Sequence, residues 1–406
     1  MTTYGGAQRV AYVMSRFPKL TETFVLGEMI AVERLGIEVK LWPLLRERSS
    51  LVHDEARPFV ARARYLPFLS PAILASLLRA LVRQPRALLG IVATVVRHCW
   101  GSTNFLFGGL AILPKVVHAA EQMRAIGVTH VHCHFANHPA LAGFAIHRLT
   151  GIPYSFVAHG SDLHVDRHML CTKVAEASFV VAISEDNRRV IRDECGDAAV
   201  ATVEVIHCGV DTERFRPVTP AASDALRILC IGTLHEVKGQ THLIEACAKL
   251  HERRRSFRCT FVGDGPDRAA LEARTATLGL ADFVEFTGQQ TANQVLERLH
   301  SADVLVAPSV PTASGKREGI PVVLMEAMAC GLAVVASDLS GIPELVGDGE
   351  GLLVAPGDAV ALAAALERLA VDSDLRRQLG ASARSKIEAE FDVSVNAARL
   401  IERFSR

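Results

Sequence analysis

A net charge is what this sequence most plainly lacks: 44 basic residues balance 44 acidic ones over a length of 406. No global electrostatic case for nucleic acid exists, and no nucleic-acid partner is expected. The nine cysteines sit singly in apolar segments such as Leu229-Cys230-Ile231, and no CxxC spacing occurs. That pattern argues against a disulfide scaffold and for buried thiols in a reducing compartment. The opening residues, Tyr4-Gly5-Gly6-Ala7-Gln8-Arg9, lack the basic-then-apolar layout of a secretory leader. The uncharged run over 66–78 ends at Arg79 and is too short to cross a bilayer. A cytoplasmic chain without a transmembrane helix is the expectation.

One absence is local. From Ala56 to Ala120 there is no Asp or Glu, while Arg57, Arg62, Arg64, Arg79, Arg83, Arg86, Arg97 and Lys115 are all basic. The segments 71–82 and 86–96 are apolar, interrupted by Arg79, Arg83, Arg86 and Arg97. Basic amphipathic helices of this kind lie in the headgroup plane of anionic lipid. The expected location is therefore peripheral, on the inner face of the plasma membrane.

Half of the residues are apolar, and the length suits two domains better than one core. Short β-branched runs alternate with helical patterns throughout, the mark of parallel α/β layers. Strands are predicted over 10–15, 38–44, 129–134, 154–158, 179–183 and 203–206. Helices are predicted over 23–35 and 140–150, stopped by Gly36 and Gly151. A second series of strands runs over 227–232, 259–262, 284–286, 304–307, 333–336 and 352–354. Two doubly wound, Rossmann-like domains follow: 1–217, then 218–385, with a last helix over 386–406 returning to the first.

The most informative segment is Lys316-Arg317-Glu318-Gly319-Ile320-Pro321, followed by Val322-Val323-Leu324-Met325-Glu326. Pro321 suits a helix start and holds Ile320 out of the α region. Glu318 then sits on the loop feeding the helix, and Glu326 falls in its second turn. Glu326 is the only charge between Pro321 and Ser337. A buried, unpaired carboxylate is costly, and the two hydroxyls of a ribose would offset that cost. Glu318, beside the amides of Gly319 and Ile320, suits sugar hydroxyls.

Glu318 and Glu326, with seven residues between them, resemble the paired-glutamate motif of the retaining glycosyltransferases of family 4, which have the GT-B fold. Gly232-Thr233-Leu234-His235-Glu236-Val237-Lys238-Gly239 resembles that family's phosphate loop. Val262-Gly263-Asp264-Gly265-Pro266 and His207-Cys208-Gly209-Val210-Asp211 resemble two further segments of it. Ser15-Arg16-Phe17-Pro18 and Thr21-Glu22-Thr23-Phe24 narrow the likeness to the branch that builds bacterial exopolysaccharides.

The resemblance implies a hexosyltransferase using a nucleotide-diphosphate sugar and a saccharide or polyprenyl-diphosphate-linked acceptor. It implies His159, Glu318 and Lys238 as catalytic candidates. Glu326, Gly319, Ile320, Pro321, Val322, Thr233 and Gly263 would bind the donor. Arg16, Thr21, Glu22, Thr23, His134, Gly160 and Asp162 would serve the acceptor side of the cleft. Lys238 has its own physical case, since a cation on a strand-end loop neutralises a diphosphate and stabilises it as a leaving group. One departure stands out: Thr233 occupies a position where the family usually has Arg, and Lys316 or Arg317 could substitute for that cation.

His130, His132, His134 and His138 cluster with Cys133. Strand alternation puts the first three on one face, yet three ligands in one line do not surround an ion. Cleft lining is expected there, and no metal or other cofactor. Asp372-Ser373-Asp374 is expected to cap a helix, not to bind a metal. Two rivals use the same fold: a nucleotide-sugar epimerase, and a nucleotide-sugar-binding subunit without turnover. Gly263-Asp264-Gly265-Pro266-Asp267-Arg268 lacks the third glycine of a dinucleotide fingerprint, which weakens an NAD-dependent reading.

Overall fold

The computed structural model describes residues 8–19, 22–48, 52–218 and 223–405. Thr21 lies outside the described residues. The chain divides into two compact units, Met1–His207 with Ala397–Arg406, and Cys208–Asn396.

The first unit opens with β1 (Arg9–Val13), β2 (Arg16–Phe17), β3 (Glu38–Leu41) and β4 (Leu45–Arg46). It continues with β5 (His130–His134), β6 (Tyr154–Ala158), β7 (Phe179–Ala182) and β8 (Val203–Val205). Six of these form a parallel sheet in the order β3-β1-β5-β6-β7-β8, while β2 pairs only with β4. Central strands β5 and β6 are buried along their whole length, as expected of a parallel sheet covered on both faces. Alternation divides β5 cleanly. Val131 and Cys133 enter the main core, with Ala11 and Val13 from β1. The three histidines take the opposite face, where the ring of Phe404 packs 4.9 Å from His130 and 5.2 Å from His132. Phe404 arrives on the last helix, and its carbonyl accepts from Gln8 Nε2 at 2.6 Å.

The basic stretch forms two helices, Pro71–Arg83 and Pro85–His98, each begun by proline at its first position. Ser70 caps the first by accepting from the Ile73 amide. Next comes Thr103–Ala125, the one described helix long and apolar enough to cross a membrane. Half of its most apolar window is buried, with Phe105, Ile112, Val116, Val117 and Met123 in the core of the unit. It is built as a core helix.

The second unit supplies β9 (Leu226–Ile231), β10 (Phe257–Val262), β11 (Val284–Phe286), β12 (Val304–Ala307), β13 (Ala333–Ser337) and β14 (Leu352–Val354). Its parallel sheet runs β11-β10-β9-β12-β13-β14. The order is that of a dinucleotide-binding sheet, with its switch point between β9 and β12, where loops leave in opposite directions and open a crevice. Asp372 caps Ser373–Glu390 by accepting from the Leu375 amide at 2.8 Å, the role expected of that acidic pair.

The cysteine reading needs correction. Cys171 and Cys195 are joined by a disulfide, each in a different helix of the first unit. The other seven form no disulfide, and six of these are buried. Two single cysteines 24 residues apart carry no spacing signal; only the packing of the two helices brings their Cα atoms to 5.1 Å.

Candidate functional site

In the second unit the loops leaving β9 and β12 flank the switch point, and both carry sequence-predicted residues. After β9, Gly232 adopts φ +154°, and the aliphatic part of Lys238 packs against it. After β10, Gly263 has φ +136°, and a Cβ there would stand 2.0 Å from the Gly232 carbonyl. Only glycine allows these two loops to lie this close. The Val310 amide donates to the Val237 carbonyl at 3.0 Å, tying the loop after β12 to the loop after β9. That tie brings the two chemical groups together: Lys238 Nζ lies 2.7 Å from Glu318 Oε2. Lys316 and Arg317 are exposed on the same loop.

The helix Val322–Ala329 starts one residue later than expected, with Pro321 as its N-cap, and Gly331 follows its end in the left-handed region. Ile320 and Pro321 are buried, and Gly319 and Val322 half-buried. Among the described residues, the amides of Gly319, Ile320, Val322 and Val323 make no backbone hydrogen bond outside the helix. Such amides, with the positive end of the helix dipole, suit an anion or a hydroxyl-rich ligand. Glu326 lies deeper, 9% exposed, in the core of this unit. Its carboxylate has no hydrogen bond or ion pair among the described residues. Burial pushes its pKa up to about 7, although the Arg214 charge pulls the other way. Thr233 is exposed, and its carbonyl accepts from Gln240 Nε2 at 3.0 Å.

The first unit gathers a different set at the ends of β1, β5 and β6. His159 follows β6 and is buried, with the rings of Phe135 and Phe24 at 4.6 and 4.7 Å. Burial, and then the neighbouring His134, hold its pKa well below the usual histidine range, so the imidazole is neutral. His159 Nε2 lies 3.1 Å from His134 Nδ1. Gly160 turns the chain at φ +106°. Asp162 accepts from the His159 amide at 2.9 Å and the Ala136 amide at 2.5 Å. Burial raises its pKa, and the backbone donors oppose that rise.

Two acceptor-side expectations need correction. His134 is fully buried, so it reaches the site through His159 and does not line a surface. Asp162 is buried with both oxygens on backbone amides, so it fixes the loop. Arg16 is exposed on β2, Glu22 pairs with Lys19 at 2.6 Å, and Thr23 opens its helix. Sequence reasoning missed Lys173, a fully buried lysine whose Nζ donates to the Ala136 carbonyl at 2.6 Å and so holds the loop behind His159. It also missed Glu28. Both are charges on helices that no periodicity marks.

Known proteins complete the picture. The family model for Glycosyl transferases group 1 matches residues 211–386, and that for Glycosyltransferase Family 4 matches 113–214. WcaL of Escherichia coli, described as a colanic acid biosynthesis glycosyltransferase, is 32% identical over 95% of this chain and 97% of its own. The chain belongs to glycosyltransferase family 4. This glycosyltransferase is also 38% identical to the amylovoran biosynthesis glycosyltransferase AmsK of Erwinia amylovora, over 50% of this chain and 51% of that one. Among solved structures, a glycosyltransferase from Rickettsia africae superposes with TM-score 0.73 at 18% identity, covering 99% and 98% of the two chains. HepE of Anabaena, solved in complex with UDP, superposes at 0.72 and 18% identity, covering 98% and 99%. The family 4 enzyme therefore has the GT-B fold, with a Rossmann-like sheet in each unit.

Proposed function

We propose that this glycosyltransferase moves a hexose, with retention, from a nucleotide-diphosphate sugar to a lipid-linked saccharide during exopolysaccharide synthesis. Buried, unpartnered Glu326 carries the reading, because the two hydroxyls of a ribose satisfy a carboxylate in that position. HepE, solved with UDP and with UDP-glucose, shares the fold and supports a donor of this class. WcaL and AmsK, named for colanic acid and amylovoran, support the pathway class.

In this reading Lys238 takes the diphosphate, and the amides of Gly319 and Ile320, with Glu318, take the sugar. The Lys238–Glu318 pair holds both groups in place until the donor arrives, when each exchanges its partner for a ligand oxygen. The bond from the anomeric carbon to the β-phosphate oxygen then breaks, and the acceptor hydroxyl bonds to the same face of that carbon. Its proton passes to the departing phosphate, whose charge Lys238 stabilises. The neutral imidazole of His159 serves the acceptor as a hydrogen-bonding group.

A membrane-bound acceptor accords with the surface of the first unit. Of sixteen exposed large apolar residues among the described ones, nine fall between Phe68 and Phe107, including Leu78, Val82, Leu89 and Trp100. Arg83, Arg86 and Arg97 accompany them and enter no ion pair among the described residues. We propose that this face docks on anionic lipid at the inner leaflet.

The test is thermal stabilisation by UDP, GDP, ADP and NAD, with Glu326→Ala and Lys238→Ala as controls. One diphosphate should raise the melting temperature, and both variants should lose the shift. A shift with NAD alone, or with none of the four, would sink the donor reading. Turnover with an acceptor then separates a transferase from a binding subunit, and turnover without one would mark an epimerase.

A further inference from the structure

The first sheet holds a cluster that the transfer reaction leaves unused. The register sets Tyr12 beside His132 and His132 beside Ser155, and His134 shares their face. The helix Thr23–Arg34 lays Glu28 across that face. Glu28 Oε1 stands 3.4 Å from His132 Nε2 and 3.2 Å from His134 Nε2. The three ligand-capable atoms all lie within 4.8 Å of one another.

Both histidines are fully buried, and each Nε2 faces Glu28 Oε1 at ion-pair distance without the alignment of a good hydrogen bond. Two buried ring nitrogens converge on one carboxylate oxygen without settling into linear bonds to it. That is how ligands stand around an ion: neighbours at about 2.1 Å from a tetrahedral centre lie about 3.4 Å apart.

The far side of each group is held as metal ligands are held. His132 Nδ1 lies 2.8 Å from Ser155 Oγ, and His134 Nδ1 lies 3.1 Å from His159 Nε2. Partners on the opposite nitrogen fix the tautomer and rotation of a ligating imidazole. The Tyr12 hydroxyl donates to Glu28 Oε1 at 3.0 Å. Two imidazoles and one carboxylate suit a borderline divalent cation such as zinc, with the remaining position left to water. Glu28 keeps 23% of its side chain exposed, which gives the ion a route in.

We infer that Glu28, His132 and His134 form a binding site for one divalent cation of the zinc class. Three histidines in one line do not surround an ion, as the strand pattern implied; Glu28 supplies the second direction, from the helix above. The cation binds His134 through Nε2, so Nδ1 carries the proton and donates to His159 Nε2. The site thereby sets which nitrogen of His159 is protonated. His130, on the same face, stands apart with its Nε2 2.7 Å from Ser155 Oγ.

The full chain, stripped with a chelator, is titrated with Zn²⁺ against a chromophoric competitor, and bound metal is counted by mass spectrometry. One equivalent should bind with micromolar or tighter affinity, and Co²⁺ in its place should give the intense visible absorption of a low-coordinate site. Glu28→Gln and His132→Gln should each weaken binding at least tenfold, while His130→Gln keeps it. Failure of the stripped wild type to take up any ion would overturn the site. So would an equivalent that survives in both Glu28→Gln and His132→Gln. If those variants do not fold, the cobalt spectrum of the wild type decides, since an octahedral, water-like spectrum rules the cluster out.

Discussion

Lys238 and Glu318 form an ion pair at 2.7 Å although 80 positions of sequence separate them. The loops that carry them leave neighbouring strands at the switch point of the second sheet, so topology alone makes them meet. Both side chains stay partly exposed, at 24% and 18%, and water still screens the pair. Its worth to stability is about 1 kcal/mol or less.

A separation of roles follows. Lys238→Ala should leave the melting temperature within a few degrees of wild type while weakening nucleoside-diphosphate affinity about tenfold or more. Glu318→Ala should keep most of that affinity and lose transfer, because it addresses the sugar. Isothermal titration with the diphosphate, beside turnover with the intact donor, distinguishes them. Equal loss of diphosphate affinity in both variants would refute the assignment.

Glu326 gives a prediction in pH. Its folded pKa is raised to about 7 from an ordinary value of 4.5. Below the unfolded value both states are protonated, and no cost arises. Between pH 4.5 and 7 the unfolded chain releases the proton while the folded chain retains it, so stability falls as pH rises. The loss should reach about 3 kcal/mol above pH 7 and be absent in Glu326→Gln. Melting curves at pH 5 and pH 8 measure it. Parallel pH profiles for wild type and variant would show that burial does not perturb this carboxyl.

The apolar face of Pro71–Arg83 and Pro85–His98 should bind vesicles containing anionic lipid and release them as salt rises, since basic residues contribute about 1 kcal/mol each near such a surface. Leu78→Asp with Val82→Asp should abolish co-sedimentation without unfolding the chain, because both side chains already face solvent. Binding unchanged by this pair, or equal on neutral vesicles, would rule the face out.

Much of this was legible in the sequence where punctuation is strong. The segments 71–82 and 86–96 both prove helical, Gly151 marks an end, and Pro321 fixes the helix that carries Glu326. Buried parallel strands are short apolar runs between such stops, so β6, β11, β12 and β14 match their predicted spans. Glu326 was visible because it is a charge in an apolar stretch. Glu28 was not, because one glutamate on a helix looks like a solvated residue until the register shows which strand lies beneath it. Lys173 was hidden in the same way, and His134 was misplaced because burial depends on what covers a face. The Cys171–Cys195 disulfide depends on helix packing that no spacing encodes.

The packing of Phe404 against His130 and Phe179, with its carbonyl bonded to Gln8, has a consequence for synthesis. The first sheet is capped by residues that the ribosome adds only after all 189 residues of Cys208–Asn396 have been made. At 5–20 residues per second, that interval is roughly 10–40 s. Throughout it the His130 and Phe179 end of that face waits uncovered on the nascent chain. The first unit of this enzyme is thus translated ahead of the second, yet sealed only after it.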